Sequence, residues 1–377
     1  MRNRTAAALA AGIILCGALP ARAQDAALDV LTRVEGEAMF ARTGAVGMVL
    51  AVIRGPNAAV AGFGETAKGN GRTPDGRTIV RIGSISKAFA GEILGSLAAD
   101  GTVRLTDPIR RHLPAGQVAP DFQGKPITLL DLATHTAGFP RDMPVAEEAG
   151  VTGNPYRHYY TPERYHAWLA KTTLPYAPGR VASYSNYGFG LLGDIMGRAA
   201  GTSFETLLAE RITGPVGMAD TTVALRDDQR TRFMTGYNAD NTPAEPLDGS
   251  EVMQASGGIF STADDMARWL RHNLAGTDAT TLAQAVYRPR QGLDAVVALD
   301  GPRPMDGMGL GWEIGNATAH APMLIQKTGG FSGFLSYAVF APGRGLGAFV
   351  VVNRLDLPAF FTLMAKVDAL MTALAPR

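Results

Sequence analysis

Cysteine is almost absent. The one present, Cys16, lies in the apolar stretch near the N-terminus, preceded by bulky Leu15, where lipid attachment needs a small residue. Beyond it the chain has no thiol nucleophile, disulfide or cysteine metal site. The six histidines show no His-Glu-x-x-His spacing, and no Gly-x-Ser-x-Gly occurs, which argues against a zinc-protease helix and an α/β-hydrolase elbow. No metal or cofactor is expected. Charge is sparse and balanced, at 18% charged residues and a net +1, so there is no basic footprint for nucleic acid. Gly307-x-Gly309-x-Gly311 lacks a strand-to-helix context and does not read as a nucleotide loop. Internal repeats, low-complexity tracts and a second long apolar run are also missing.

What is present begins with a leader pattern. Arg2 and Arg4 precede an apolar run from Ala6 to Leu19, then Pro20 and Ala21-Arg22-Ala23. This reads as a secretory signal peptide, residues 1–23, cleaved after Ala23 and directing the protein to the periplasm; the run is short of the roughly 20 residues a membrane span needs. Residues 24–377 then suffice for a large core without disulfides.

The remaining chain changes character twice. A helix from Leu28 to Arg42 leads to a buried strand, Ala45 to Ile53, a Gly55-Pro56-Asn57 turn and a returning strand, Ala58 to Gly64. A short strand, Thr78-Ile79-Val80, follows. From about residue 84 to 304 helices and loops dominate, with helices at Ile127–Ala133, Pro162–Ala170, Tyr187–Ala200 and from Ser261 to Leu274. Residues 142–160, rich in Gly, Pro and Tyr, read as a loop at the surface or over a cleft. From about 305 the pattern is β again: Leu310–Ile314, Met323–Thr328, Leu335–Phe340 and Gly347–Asn353. Leu335/Tyr337/Val339 and Ala348/Val350/Val352 alternate as in a half-buried antiparallel pair. A final helix, Pro358 to Leu374, carries Phe361, Met364, Val367, Leu370, Met371 and Leu374 as a stripe. Packing on the sheet is the reading taken, with a membrane-surface helix as its alternative. Strands at both ends and helices between predict an α+β fold: one antiparallel sheet (about 24–83 and 305–377) beside a helical region, with a cleft between them.

Three motifs face that cleft in this reading. In Ser84-Ile85-Ser86-Lys87 the serine opens a helix and the lysine lies one turn on, so an amine sits beside a hydroxyl in the positive field of a helix start. Alone the pattern is weak. Tyr184-Ser185-Asn186, just before a helix, offers a phenol that can relay a proton and an amide that can grip a carbonyl. Lys327-Thr328-Gly329-Gly330 supplies a second cation, a hydroxyl and a glycine pair that lets a peptide-like substrate lie along the strand; the N–H groups of Ser84 and Gly330 suit an oxyanion hole. His135 reads as a structural polar residue, and Trp312 as core or cleft wall.

The order and wide spacing of these motifs resemble the penicillin-recognising serine enzymes. Supporting stretches are Pro126–Thr136, Gly257–Thr262, Ile325–Gly330 and Gly347–Val352. The chain is most similar to the class C β-lactamase-like branch, and within it to AmpH-type D-alanyl-D-alanine carboxypeptidase/endopeptidases. The resemblance implies a β-lactamase/transpeptidase-like fold and an acyl-enzyme on Ser84. It implies that Lys87 and Tyr184 share the proton work, that Asn186 holds the substrate's amide side chain, and that Lys327 and Thr328 hold its carboxylate. Gly329 leaves room along the strand, and Ser84 and Gly330 bind the oxyanion. Peptidoglycan peptides or β-lactams are the partners so implied. The same motifs serve peptidases, β-lactamases and esterases, and either Lys87 or Tyr184 can be the primary base.

Overall fold

The computed structural model describes residues 21–145, 149–151, 156, 159–247, 250–299, 301 and 303–375. Most of the predicted leader lies outside these residues. The first helix, α1 (Ala21–Phe40), starts at the leader's edge, earlier than the expected Leu28. Two strands follow, β1 (Gly47–Arg54) and β2 (Asn57–Gly64), in register from Gly47↔Gly64 to Arg54↔Asn57.

The other strands of this sheet come late in the chain: β3 (Arg288–Pro289), β4 (Gly307–Met308), β5 (Glu313–Gly315), β6 (Leu324–Phe331), β7 (Phe334–Ala341) and β8 (Leu346–Val352). Their order is β2-β1-β8-β7-β6-β5-β4-β3, with every neighbouring pair antiparallel. The two ends of the chain thus meet inside one sheet, Met48 opposite Val352 and Arg54 opposite Leu346. A two-residue turn, Ser332-Gly333, joins β6 to β7 with φ of 48° and 85°, the positive-φ geometry that matches the twist of a tight hairpin.

Alternation along the central strands sends residues to two layers. Met48, Leu50, Val52, Tyr337, Val339, Ala348 and Val350 pack under α1 and α7 (Leu357–Leu374). Val49, Ala51, Ile53, Ala338, Phe340, Phe349 and Val351 pack under the helical region. The expected pairing of alternate residues on β7 and β8 is present, but neither strand is half-buried. Every residue of both is buried, because helices cover both faces. In α7 the buried stripe is Phe360, Leu363, Met364, Val367, Leu370, Met371 and Leu374. Phe361, expected within the stripe, is 43% exposed, because the helical period places Phe360 inward and its neighbour out. The helix is long and apolar enough to cross a membrane, and its stripe is used on the sheet.

The helical region is built around α2 (Ser86–Ala99), which is buried on nearly every side. Phe89 stacks on Trp269 at 4.0 Å between ring centres, and Trp269 on Trp312 at 5.3 Å, so Trp312 is core. One carboxylate sits in this apolar setting. Glu92, 2% exposed, accepts hydrogen bonds from Trp269 Nε1 at 2.8 Å and Asn273 Nδ2 at 3.4 Å, and pairs with His272 Nε2 at 2.7 Å. All three partners lie on α5 (Ala263–Ala275), which follows α3 (Leu129–Ala133) and α4 (Asn186–Ala200) and precedes α6 (Asp278–Gln284). Glu92 therefore bolts α2 to α5 through a buried polar contact. Removing it orphans the indole N–H. Glu92→Ala is expected to lose about 3 kcal/mol in urea unfolding, and Glu92→Gln, which keeps an acceptor, distinctly less. Equal losses for the two would contradict this account.

Candidate active site

A short strand, Val80–Arg81, pairs with Phe260–Ser261 and delivers the chain to a 3₁₀ turn, Gly83–Ile85, ahead of α2. Ser84 lies in that turn, and the α-helix proper begins two residues later. Gly83 has φ of +52°, and the position its Cβ would take is 2.6 Å from the Gly330 nitrogen. A Cβ on Gly329 would collide with the Ile82 carbonyl oxygen and the Ser336 hydroxyl. Two bare stretches of backbone, Ile82-Gly83 and Gly329-Gly330, therefore touch directly. The Ser336 hydroxyl donates to Ile82 O at 2.8 Å, and the Ser86 hydroxyl donates to Gly83 O at 2.7 Å and accepts from Ile259 N at 3.2 Å. The glycine pair, expected to leave room for a peptide-like substrate, has part of that space taken by the chain's own nucleophile turn.

Around Ser84 the predicted side chains converge. Tyr184 Oη donates to Ser84 Oγ at 2.5 Å, and Lys87 Nζ donates to the same oxygen at 3.2 Å. Lys87 is fully buried one turn along from Ser84, and its ammonium also donates to Asn186 Oδ1 at 2.8 Å and to the Ser256 carbonyl at 2.5 Å. It lies 4.7 Å from the centre of the Tyr184 ring. Asn186 is the first residue of α4, whose N-cap is Ser185, its hydroxyl accepting from Gly188 N at 2.9 Å. The helix start thus presents Tyr184 and Asn186 together, as the two-residue spacing suggested.

Lys327 reaches the same place from β6. Its Nζ is 5.4 Å from the Tyr184 ring centre and 3.6 Å from Glu313 Oε1, both side chains being almost fully buried. Arg141 adds a third cation, its Cζ 4.8 Å from that ring. Such a field favours negative charge that develops on a nearby oxygen. Thr328 and Gly329 continue the strand opposite Tyr337 and Ser336. Because β5 pairs with β6 only from Leu324 to Gln326, no described strand lies along that edge from Lys327 to Phe331.

Several contributors had no readable signal. The Ser256 carbonyl is backbone, visible in sequence only as the residue before Gly257-Gly258. Asp142, in the loop expected over the cleft, accepts from Asn186 Nδ2 at 3.0 Å and from the Tyr156 hydroxyl. Glu313 faces Lys327 from a strand too short to show alternation. His135, read as structural, is buried and stacked on Tyr184 at 4.7 Å between ring centres. Burial first, then Lys87, Lys327 and Arg141, hold its imidazole well below the ordinary histidine range.

Comparison with known proteins identifies the family. A family model described as beta-lactamase matches residues 31–372. The D-alanyl-D-alanine-carboxypeptidase/endopeptidase AmpH of Escherichia coli (strain K12) is 35% identical over 364 residues, 95% of this chain and 92% of that protein. A beta-lactamase of Pseudomonas fluorescens is 28% identical over 341 residues, covering 82% of this chain and 88% of its own. Among solved structures, a beta-lactamase/D-alanine carboxypeptidase from Yersinia pestis complexed with citrate superposes with a TM-score of 0.86 at 35% identity, covering 93% of this chain and 99% of that one. A class C beta-lactamase from Rhodobacter sphaeroides shares the fold, at a TM-score of 0.73 and 22% identity over 90% of this chain and 99% of the other.

The contact between bare backbones is the part of the site most sensitive to one methyl. Gly83→Ala is expected to lose at least about 2 kcal/mol in urea unfolding, from the positive φ and from collision with backbone. Gly330→Ala, whose Cβ would crowd the end of the Leu335 side chain at 3.1 Å and meet Phe334 O at an ordinary 3.9 Å, should lose less. The reverse ranking would mean that the two backbones are not in contact.

Proposed function

The chain belongs to the β-lactamase family and is a serine hydrolase of the β-lactamase/DD-peptidase kind, and on that premise we propose that it is a D-alanyl-D-alanine carboxypeptidase/endopeptidase acting on peptidoglycan peptides. The observation that carries the reading is the hydrogen bonding at Ser84 Oγ. One oxygen is approached by the Tyr184 oxygen at 2.5 Å and by Lys87 Nζ at 3.2 Å, so whichever of the two is unprotonated, as phenolate or as amine, can take the Ser84 proton.

In the proposed reaction Ser84 Oγ attacks the carbonyl carbon of the scissile amide. Its proton passes to the unprotonated member of the Tyr184–Lys87 pair, a phenolate beside the ammonium or an amine beside the phenol, while the carbonyl oxygen becomes an oxyanion held by the N–H groups of Ser84 and Gly330. Collapse breaks the C–N bond, and the same pair returns the proton to the leaving nitrogen. Water then attacks the acyl-enzyme and restores Ser84. Lys327 and Thr328 receive the substrate's terminal carboxylate, Gly329 gives room beside them, and Asn186 takes the amide on the acyl side. The open half of β6 suits an extended peptide laid against a strand edge. Asn186 Nδ2 gives one of its two N–H groups to Asp142 in the free protein, and the second is the donor offered to a substrate carbonyl. The leader read over Met1–Ala23 supports a periplasmic site of action, where such peptides occur.

A second reading, hydrolysis of β-lactams, is favoured by the 28% identity to the Pseudomonas fluorescens beta-lactamase. A β-lactam presents the same amide and carboxylate and acylates the same serine. The two activities differ in how fast water clears the acyl group, a few kcal/mol in one barrier.

A fluorescent penicillin tests the nucleophile. The protein is expected to form a covalent adduct that disappears in Ser84→Ala, and an adduct persisting in that variant would refute the assignment. Tyr184→Phe should slow acylation by roughly 10²-fold or more. Offering muropeptides, a chromogenic cephalosporin and a short-chain nitrophenyl ester then ranks the activities. Muropeptide cleavage is expected to dominate, and inert muropeptides beside fast cephalosporin or ester turnover would overturn the peptidase reading.

A further inference from the structure

His135 occupies a conformation that its residue type avoids. Its φ is 56°, in the left-handed region, at a cost on the order of 1 kcal/mol or more for a side chain with a Cβ. What the fold gains is the use of two of its atoms at once. The His135 carbonyl accepts from Ser183 N at 2.8 Å, and its Nδ1 accepts from Ser185 N at 3.0 Å. Those two amides flank Tyr184. The amide between them, that of Tyr184 itself, donates to Val297 O at 3.1 Å. The imidazole also lies against the phenol ring, tilted by 28° at 4.7 Å, and is backed by Phe189 at 4.8 Å. Tyr184 is thus gripped on both sides of its own backbone and on a ring face by one residue.

We propose that His135 is the positioning residue for Tyr184, holding the phenol oxygen on Ser84 Oγ as a neutral hydrogen-bond acceptor that takes no part in proton transfer. The proposal rests on the reading of Tyr184 as the group that handles the Ser84 proton. Hydrogen-bond bookkeeping rules the imidazole out as a base. The lone pair of Nδ1 is spent on the Ser185 amide, so the ring's single proton is on Nε2, which is buried and makes no hydrogen bond among the described residues. A second proton would turn Nδ1 into a donor facing a donor. It would also add charge to a pocket already facing Lys87 from α2, Arg141 from the loop after α3 and Lys327 from β6. Neutrality therefore follows from the geometry, and the charges around the ring reinforce it.

The experiment separates the acceptor atom from the imidazole. Asparagine tolerates a left-handed φ and places an amide oxygen near the position of Nδ1; glycine keeps the backbone and its carbonyl bond but deletes acceptor and ring. Acylation rates with a fluorescent penicillin, and kcat and KM with the best substrate of the panel above, are measured for His135→Gly, His135→Asn and Tyr184→Phe. Circular dichroism checks that each is folded. His135→Gly is expected to lose roughly 10²-fold in acylation rate and kcat with little change in KM. His135→Asn should recover most of that loss and keep the wild-type pH–rate profile. A fully active His135→Gly beside a slow Tyr184→Phe overturns the inference alone. A His135→Asn that is inactive and has lost a limb of the profile does so too, since the imidazole would then be carrying a proton. If glycine prevents folding, the asparagine variant decides by itself. A fully active Tyr184→Phe removes the reading of Tyr184, and the inference with it.

Discussion

The site depends on a contact that side chains would forbid. Ile82-Gly83 and Gly329-Gly330 meet backbone to backbone, with no room for a Cβ at Gly83 or Gly329. This contact joins the two halves of the molecule at the point where α2 begins and where β6 loses its neighbour. The Ser336 hydroxyl of β7 fastens it across the contact, on Ile82 O, and the Ser86 hydroxyl of α2 holds the turn from within, on Gly83 O. The nucleophile turn is therefore seated on the sheet through main chain, whose positions are fixed far more tightly than those of long side chains. Ser84 inherits that precision as the next residue after Gly83.

Charge is the second constraint, and it opposes the first in energetic terms. Lys87 and Lys327 are both buried, and an ammonium removed from water costs several kcal/mol unless its protons are matched. For Lys87 the match is made by Ser84 Oγ, Asn186 Oδ1 and the Ser256 carbonyl. Lys327 has the Glu313 carboxylate at 3.6 Å, longer than a hydrogen bond. Tyr184 lies between the two amines, with Arg141 near its ring as well. The core around α2, from the Phe89–Trp269–Trp312 stack to the Glu92 anchor, carries the stability that such an assembly gives up.

Elements with a full period were legible in the sequence, and the shortest ones only in part. Strands β1, β2, β6, β7 and β8 and helices α2, α4, α5 and α7 each have enough residues to display alternation or a helical stripe. The two-residue strands Arg288–Pro289 and Gly307–Met308 have none, and Pro289 would ordinarily argue against a strand. Burial was misjudged where one face was assumed to meet water: β7 and β8 lie between two helical layers, and Phe361 sits one position off the inward stripe of α7. At the site, groups that act through their own chemistry (a serine, two lysines, a tyrosine, an asparagine) stood out by motif. His135, Asp142 and Ser256 did not, because their parts are played by a lone pair on a strained loop, a carboxylate on an irregular segment and a main-chain carbonyl.

Asn186 ties these two classes of residue together. An amide has one acceptor and one donor end, and here each is occupied: Oδ1 by Lys87 and Nδ2 by Asp142. Its orientation is thereby set, since a flipped amide would face the ammonium with its own N–H groups and the carboxylate with its oxygen. The loop that carries Asp142 is thus coupled through one side chain to the lysine beside Ser84. The Tyr156 hydroxyl, also donating to Asp142, extends the coupling further along that loop. The Nδ2 group has two N–H donors, and with one held by Asp142 the other is the donor left for a carbonyl. The direction in which that second N–H points is set by the loop and not by the three motifs. Two chains with identical motifs at Ser84, Tyr184 and Lys327 would differ in selectivity if their loops at position 142 differed, which is why the motifs alone define the chemistry and leave the choice of substrate to the surrounding structure.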